Sequence, residues 1–171
     1  MSRLRNAECI RHAVRACVLG HVLVAATDRG VCMVELGDST EMLASSLKHR
    51  FPEAILAGAD AILATWVGRV ADAIARPRTA VDLPLDIRGT VFQQAVWTAL
   101  RAIPPGATAS YRQVAERIGR PGAARAVARA CASNRLALLV PCHRVVREDG
   151  GAGGYRWGIE RKQRLLDGER G

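Results

Sequence analysis

No apolar run in this chain of 171 residues is long enough to span a bilayer. The opening MSRLRNAECIRHAV also lacks the long apolar segment of a signal peptide. No membrane partner is expected, and a cytoplasmic address follows. Paired cysteines are missing too. Cys9, Cys17, Cys32, Cys131 and Cys142 form no CxxC and keep no regular spacing, so neither a disulfide scaffold nor a structural zinc site is signalled. Cys131, Cys142 and His143 come nearest to a metal cluster but lack paired close spacing, and the expectation is no metal and no other cofactor. Lysine is scarce where positive charge is dense: beyond residue 85 only Lys162 is a lysine among fifteen cationic side chains.

The rest of the composition is that of a globular protein, with 49% hydrophobic and 24% charged residues. The length suits one ordinary domain or two small ones sharing an interface. Charge is unevenly placed. Residues 1–85 carry 10 positive and 9 negative groups, whereas residues 86–171 carry 15 and 7, which accounts for most of the net +9. Concentrated arginine favours a polyanion because the guanidinium fork matches phosphate and base edges. A coding bias towards arginine would give the same charge, so charge alone leaves nucleic acid and a plain cationic surface both open.

Hydrophobic patterning divides the chain near residue 85, into an α/β unit over residues 1–85 and a mainly helical unit over residues 86–171. In the first, apolar stretches at residues 13–19, 22–26 and 31–36 are separated by Gly20-His21 and Asp28-Arg29-Gly30, hairpin signals that predict a three-stranded antiparallel sheet. Asp38 with Glu41 reads as a capping box, after which Met42, Leu43 and Leu47 share a helical face until Phe51-Pro52. A second helix is predicted over residues 59–75, with Ile62, Leu63, Trp66, Val67, Val70 and Ile74 as its core stripe. Pro77 and Pro84 make the stretch between the units a linker. Beyond it, Thr90 caps a helix carrying Phe92, Val96, Trp97 and Leu100. Ser110 caps a second over residues 111–118, and a third runs over residues 122–133. Helix, short turn, helix is the arrangement that places its second helix in a DNA groove. That helix, GAARAVARACAS, is mostly alanine with Arg125 and Arg129 four apart on one face. So slim a helix suits either close approach to nucleic acid or tight packing between two neighbours.

The segment PCHRVV places Cys142 beside His143 at the end of the apolar run LALLV. No other segment joins a potential nucleophile to its potential base. The attacking species is the thiolate, so a thiol of ordinary acidity needs a cationic or basic neighbour, and His143, Arg144 and Arg147 supply one. The same residues also fit a small cysteine ending a buried strand.

FQQAVWTALRAIPPG, SYRQVAERIG, AARAV, ASN, LLVPCHRVVREDG, GYRWG and RKQRLL together resemble the O6-alkylguanine-DNA alkyltransferases, most closely the alkyltransferase half of the bacterial Ada proteins. RGVCMVELGD and LPLDIRGT extend the resemblance into the first half. It implies a ribonuclease-H-like first domain and a winged-helix-like second one. It also implies a single-turnover methyltransferase that takes the alkyl group from O6 of guanine in double-stranded DNA, with O4-alkylthymine as a further substrate. By position, Cys142 resembles the acceptor, His143 its base through a bridging water, Glu169 the carboxylate that orients the histidine, and Asn134 the asparagine of the turn joining helix to active-site strand. Tyr111 matches the hydroxyl donor to the departing base. Arg125 matches the finger that fills the stack when the nucleotide is flipped out. Ala123, Ala124, Ala126 and Ala128 match a minor-groove face beside Arg129, and Tyr155 matches a residue of the alkyl pocket, with Val140 and Pro141 beside it. Arg156 departs from the small polar residue of some relatives and bears on pocket width. Pro105 stands where bacterial relatives often have cysteine. No cysteine-rich, zinc-holding module precedes these motifs, so regulation through phosphotriester repair is not expected. The protein is expected to act as a monomer. The alternatives are a helix-turn-helix regulator in which Cys142 is structural, a non-enzymatic binder of alkylated DNA, against which the cysteine argues, and a thiol hydrolase, for which no acyl site is evident.

Overall fold

A sheet buried on both faces builds the first half. The computed structural model describes residues 7–171, so the first six residues of the stretch MSRLRNAECIRHAV, read above for a signal peptide, lie outside the described residues. Strands β1 (Cys9–Cys17), β2 (Gly20–Thr27) and β3 (Gly30–Gly37) form an antiparallel meander as expected, with Val14 opposite Leu23 and Val24 opposite Val34. Along β2, Val22, Val24 and Ala26 enter one apolar cluster while Leu23 and Ala25 enter another on the opposite face. Helix α1 (Thr40–Arg50) covers the smaller cluster through Leu43 and Leu47, and α2 (Ala61–Ala75) covers the larger through Leu63, Val67, Val70 and Ile74.

Four sequence expectations need correction. The sheet has a fourth strand, β4 (Ile55–Ala57), parallel to β1 in the order β3-β2-β1-β4. The cap of α1 is Ser39, whose hydroxyl accepts from the Met42 N–H, while Asp38 pairs with Arg161 instead. Met42 and Ile62 point to solvent, each standing about one residue beyond the edge of its helix's buried stripe. Trp66 is only half-buried, packed at the margin of the larger cluster.

The second half begins with α3 (Val91–Arg101) and continues through β5 (Ala109–Ser110), α4 (Tyr111–Arg117) and α5 (Ala124–Ala132). It then passes through a 3-10 turn at Cys142–Arg144 to β6 (Val145–Val146), parallel to β5, and ends in α6 (Ile159–Arg170). Thr90 with Gln93 and Ser110 with Gln113 make reciprocal capping boxes that fix where α3 and α4 start. Trp97 Nε1 donates to Ala130 O at 2.9 Å and ties α3 to α5.

The halves are joined through β3. Val31 N donates to Pro84 O and Asp86 N to Val31 O, both at 2.8 Å. Farther along the strand, Val34 N donates to Arg135 O at 2.8 Å and Ala137 N to Val34 O at 3.1 Å. Gly30 sits at φ +148°, and a side chain there would meet Pro84 O at 2.5 Å, so the linker's approach demands glycine. Residues 134–137 are thereby pinned to the sheet immediately before the run that leads to Cys142. The larger apolar cluster runs without a break from β2, β3 and α2 to Trp97, Val127, Val140 and Leu165. Among the described residues no helix is long and apolar enough to cross a membrane, and no three His, Cys, Asp or Glu gather as metal ligands.

Candidate active site

The segment LALLV was expected to end as a buried strand, but it folds as a series of turns. Leu139 N donates to Ala137 O and Cys142 N to Val140 O, both at 2.8 Å, and Leu138 stands at φ +70°. Cys142 and His143 therefore follow one another in a 3-10 turn rather than on extended chain.

Asn134 organises these turns from within. Its side-chain amide donates to Val140 O at 2.9 Å and to Cys142 Sγ at 3.2 Å, while its oxygen accepts from the Leu136 N–H at 2.9 Å. At 1% exposure all three contacts are sheltered from water. Burial pushes the Cys142 thiol up to about 11, against the opposing pull of the Asn134 hydrogen bond and the Lys162 ammonium. The resting group is the thiol, and attack requires a base.

His143 is 1% exposed, and burial lowers its pKa against the pull of Glu169, so the ring is neutral at pH 7. Glu169, from the last turn of α6, sits 2.8 Å from His143 Nε2. Burial raises its carboxyl, but the hydrogen bonds and charges of His143 and Arg144 outweigh burial and hold it at about 2. An ionised carboxylate at this place fixes the proton on Nε2. It leaves Nδ1, which is buried and makes no hydrogen bond within the protein, as the free ring base.

Arg144 donates to Glu169 through Nε (3.1 and 3.2 Å) and Nη2 (2.8 Å), and to Ile103 O through Nη1 (2.6 Å). Arg78 caps the Glu169 carbonyl at 2.8 Å. Lys162 is fully buried, its ammonium donating to Val145 O at 2.6 Å and Gly154 O at 3.1 Å, which closes the loop between β6 and α6 over the site. Sequence reasoning passed over Lys162, and read Arg144 as a cationic neighbour of Cys142 rather than as the partner of Glu169. Lys162 carried a signal all the same: it is the one lysine in an arginine-using half, and a compact ammonium fits between two carbonyls where a guanidinium would not.

Cys142 lies at a cavity of about 320 Å³, lined also by Tyr111, Ala128, Cys131, Tyr155 and Arg156. Cys131 was not expected as a lining residue, and its thiol is pushed up to about 12 by burial and by Cys142. Burial and the two neighbouring thiols also raise the Tyr111 hydroxyl, keeping it a donor. The cavity adjoins an open vestibule of about 770 Å³ that shares Tyr111, Ala128 and Gly154 and is rimmed by Ala124, Arg125 and Arg147. Ala123 stands just before α5 as its cap residue, Ala126 is half-buried and Arg129 exposed. Val140 does not line the cavity: its side chain is fully buried, and its carbonyl serves Asn134 and Cys142. Pro141 faces a separate space of about 220 Å³ behind His143 and Glu169. Pro105 borders that rear space and not the cavity at Cys142.

Comparison with known proteins accords with this geometry. Residues 91–171 match the model of the DNA-binding domain of 6-O-methylguanine DNA methyltransferase. The chain is 52% identical over 157 residues to the Escherichia coli bifunctional transcriptional activator/DNA repair enzyme Ada, covering 92% of this chain but 44% of that protein. It thus spans less than half of that relative. It is 37% identical to the inducible methylated-DNA–protein-cysteine methyltransferase of Bacillus subtilis, covering 86% of this chain and 83% of the other. The crystal structure of Mycobacterium tuberculosis OGT in complex with DNA superimposes with a TM-score of 0.77 at 35% identity, over 95% of this chain and 92% of that one. The chain belongs to the methylated-DNA–protein-cysteine methyltransferase family.

Proposed function

We propose that this protein repairs DNA by direct reversal, moving the alkyl group from O6 of guanine in duplex DNA to its own Cys142, once per molecule. The observation that carries the reading is a sheltered thiol at the end of a cavity, followed in the chain by a neutral histidine whose Nδ1 is free and whose Nε2–H is held by an ionised carboxylate.

His143 Nδ1 takes the thiol proton through a bridging water, and Glu169, itself held by Arg144, stabilises the imidazolium that forms. Cys142 Sγ bonds to the alkyl carbon as the C–O6 bond breaks. The electron pair passes to the purine, which Tyr111 steadies by a hydrogen bond from its hydroxyl, and the guanine takes up the proton that His143 releases through the solvent network. The product is a thioether with no good leaving group, and the neighbouring Cys131 is held as a thiol rather than a thiolate, so turnover is absent.

The target nucleotide must leave the stack to reach the cavity. In this reading α5 enters the minor groove on Ala123, Ala124, Ala126 and Ala128, Arg125 replaces the extruded base, Arg129 meets the backbone, and the base enters past Tyr111 to stand against Tyr155 and Arg156. Val140 and Pro141 shape the turn that presents the sulfur. O4-alkylthymine, whose exocyclic oxygen is similarly placed, is a second substrate. We further read residues 1–85 as a ribonuclease-H-like domain and residues 86–171 as a winged-helix-like DNA-binding domain. The protein acts as a cytoplasmic monomer without a cofactor. A sequence-specific regulator would have no use for a cavity ending on a cysteine.

The test is intact-mass spectrometry with peptide mapping after mixing the protein with a duplex carrying one O6-methylguanine. One added methyl group on Cys142, and none on a Cys142→Ser variant, is the expected result. An unmodified wild-type protein overturns the reading.

A further inference from the structure

Among the described residues, Arg156 is the only one lining the Cys142 cavity that carries a formal charge; the rest of the wall is tyrosine, alanine, glycine and thiol. Among the described residues its guanidinium makes no ion pair. Its hydrogen bond within the protein is a long one of 3.5 Å, from Nη1 to Ala132 O at the end of α5. The arginines that brace the fold beside the site are matched to carboxylates, Arg144 to Glu169 and Arg161 to Asp38, whereas Arg156 stands exposed at the cavity wall. Arg156 has four or more N–H donors with no acid to meet them, beside a reacting sulfur. The cavity, at about 320 Å³, lies at the small end of ligand pockets, so whatever group a base carries into it stands close to that guanidinium.

Resting on the repair reading above, we propose that Arg156 selects O6-alkyl groups bearing a negative charge, carboxymethyl being the simplest, over neutral groups of the same size. An alkyl carboxylate on the guanine would supply the planar, bidentate partner that the protein withholds. The transfer is otherwise unchanged. Sγ bonds to the methylene carbon, the C–O6 bond breaks with its electron pair passing to the purine, and the carboxylate takes no part in bond making. A methyl group is too short to use the contact, so the preference appears only in charged substituents.

The experiment compares single-turnover transfer from duplexes carrying O6-carboxymethylguanine and its neutral isostere O6-carbamoylmethylguanine, with the adduct on Cys142 identified by mass. The readout is the ratio of the two rates within one protein, which cancels any general effect of a variant on folding or DNA binding. The wild-type ratio is expected to exceed that of Arg156→Gln by roughly tenfold, the loss of one charge-assisted contact. Arg156→Lys, which keeps the charge, is expected to retain most of it. Equal ratios in wild type and Arg156→Gln overturn the proposal. A variant that slows methyl, carbamoylmethyl and carboxymethyl transfer by one common factor overturns it too, by assigning Arg156 to the departing purine. O6-methylguanine on the wild-type protein separates the two layers: methyl transfer with equal ratios removes only the selectivity, whereas no methyl on Cys142 removes the repair reading with it.

Discussion

A carboxylate that accepts from an imidazole and a guanidinium together, as Glu169 does from His143 and Arg144, stays ionised where burial alone would neutralise it. Its folded pKa of about 2 lies below the ~4.3 of an unfolded glutamate. A depressed folded pKa contributes stability that is complete above the unfolded value and is lost as pH falls through the folded one. The stability gap between wild type and Glu169→Gln, followed by urea unfolding at several pH values, is therefore expected to close between about pH 4.5 and pH 2; a gap independent of pH would assign the carboxylate a steric role only. The glutamine oxygen can still accept the Nε2–H, so His143 keeps its orientation while the counter-charge to imidazolium disappears. Methyl transfer by Glu169→Gln is expected to fall about tenfold or more in single-turnover rate. Asn134 plays a structural part besides touching the sulfur. Asn134→Ala leaves the Leu136 N–H without its partner in the interior, a loss of about 1–3 kcal/mol readable by urea unfolding.

At the scale of the element, α5 has one face tied into the core by Val127, Ala130 and Cys131, while Arg125 stands beside the vestibule and Arg129 is exposed. If Arg125 fills the gap left by an extruded base, its removal matters only where there is a stack to open. Arg125→Ala is expected to slow repair of duplex O6-methylguanine by at least tenfold while transfer from free O6-benzylguanine changes far less, and equal losses on both would refute the finger role. The starts of α3 and α4 were legible because Thr90-Gln93 and Ser110-Gln113 write reciprocal caps into the sequence. The strand β4 was not, because three residues pairing in parallel with β1 leave no local periodicity. The run from Leu136 to Val140 read as a strand because apolar burial looks the same in a turn. What breaks the strand is the set of contacts from Asn134 and Val34, which no window of sequence contains. The adjacency of Cys142 and His143 made the reactive pair visible. Arg144's hold on Glu169 depends on α6 folding back across the turn and was visible only in three dimensions.

For the whole molecule, the question is whether two halves that differ in charge and composition behave as two proteins or one. Their boundary is stitched to β3 at Val31 and Val34, and Asp86 accepts from Thr27 Oγ1 at 2.7 Å and from Arg88 Nη2 at 2.8 Å, binding linker to sheet. The larger apolar cluster crosses the boundary, so neither half can leave without exposing the other's core. A single cooperative unfolding transition follows, and the three tryptophans can test it because Trp66 lies in the first half and Trp97 and Trp157 in the second. In Trp66→Phe the fluorescence reports the second half, and in the double variant Trp97→Phe/Trp157→Phe it reports the first. Losing the Trp97 bond to Ala130 lowers the stability of the double variant, so each protein is compared with its own circular dichroism rather than with the other. In both, the fluorescence and dichroism midpoints in urea are expected to coincide. A second half that melted before the first would mean that the sheet does not hold residues 134–137 in place, and the geometry at Cys142 would then depend on DNA to assemble it.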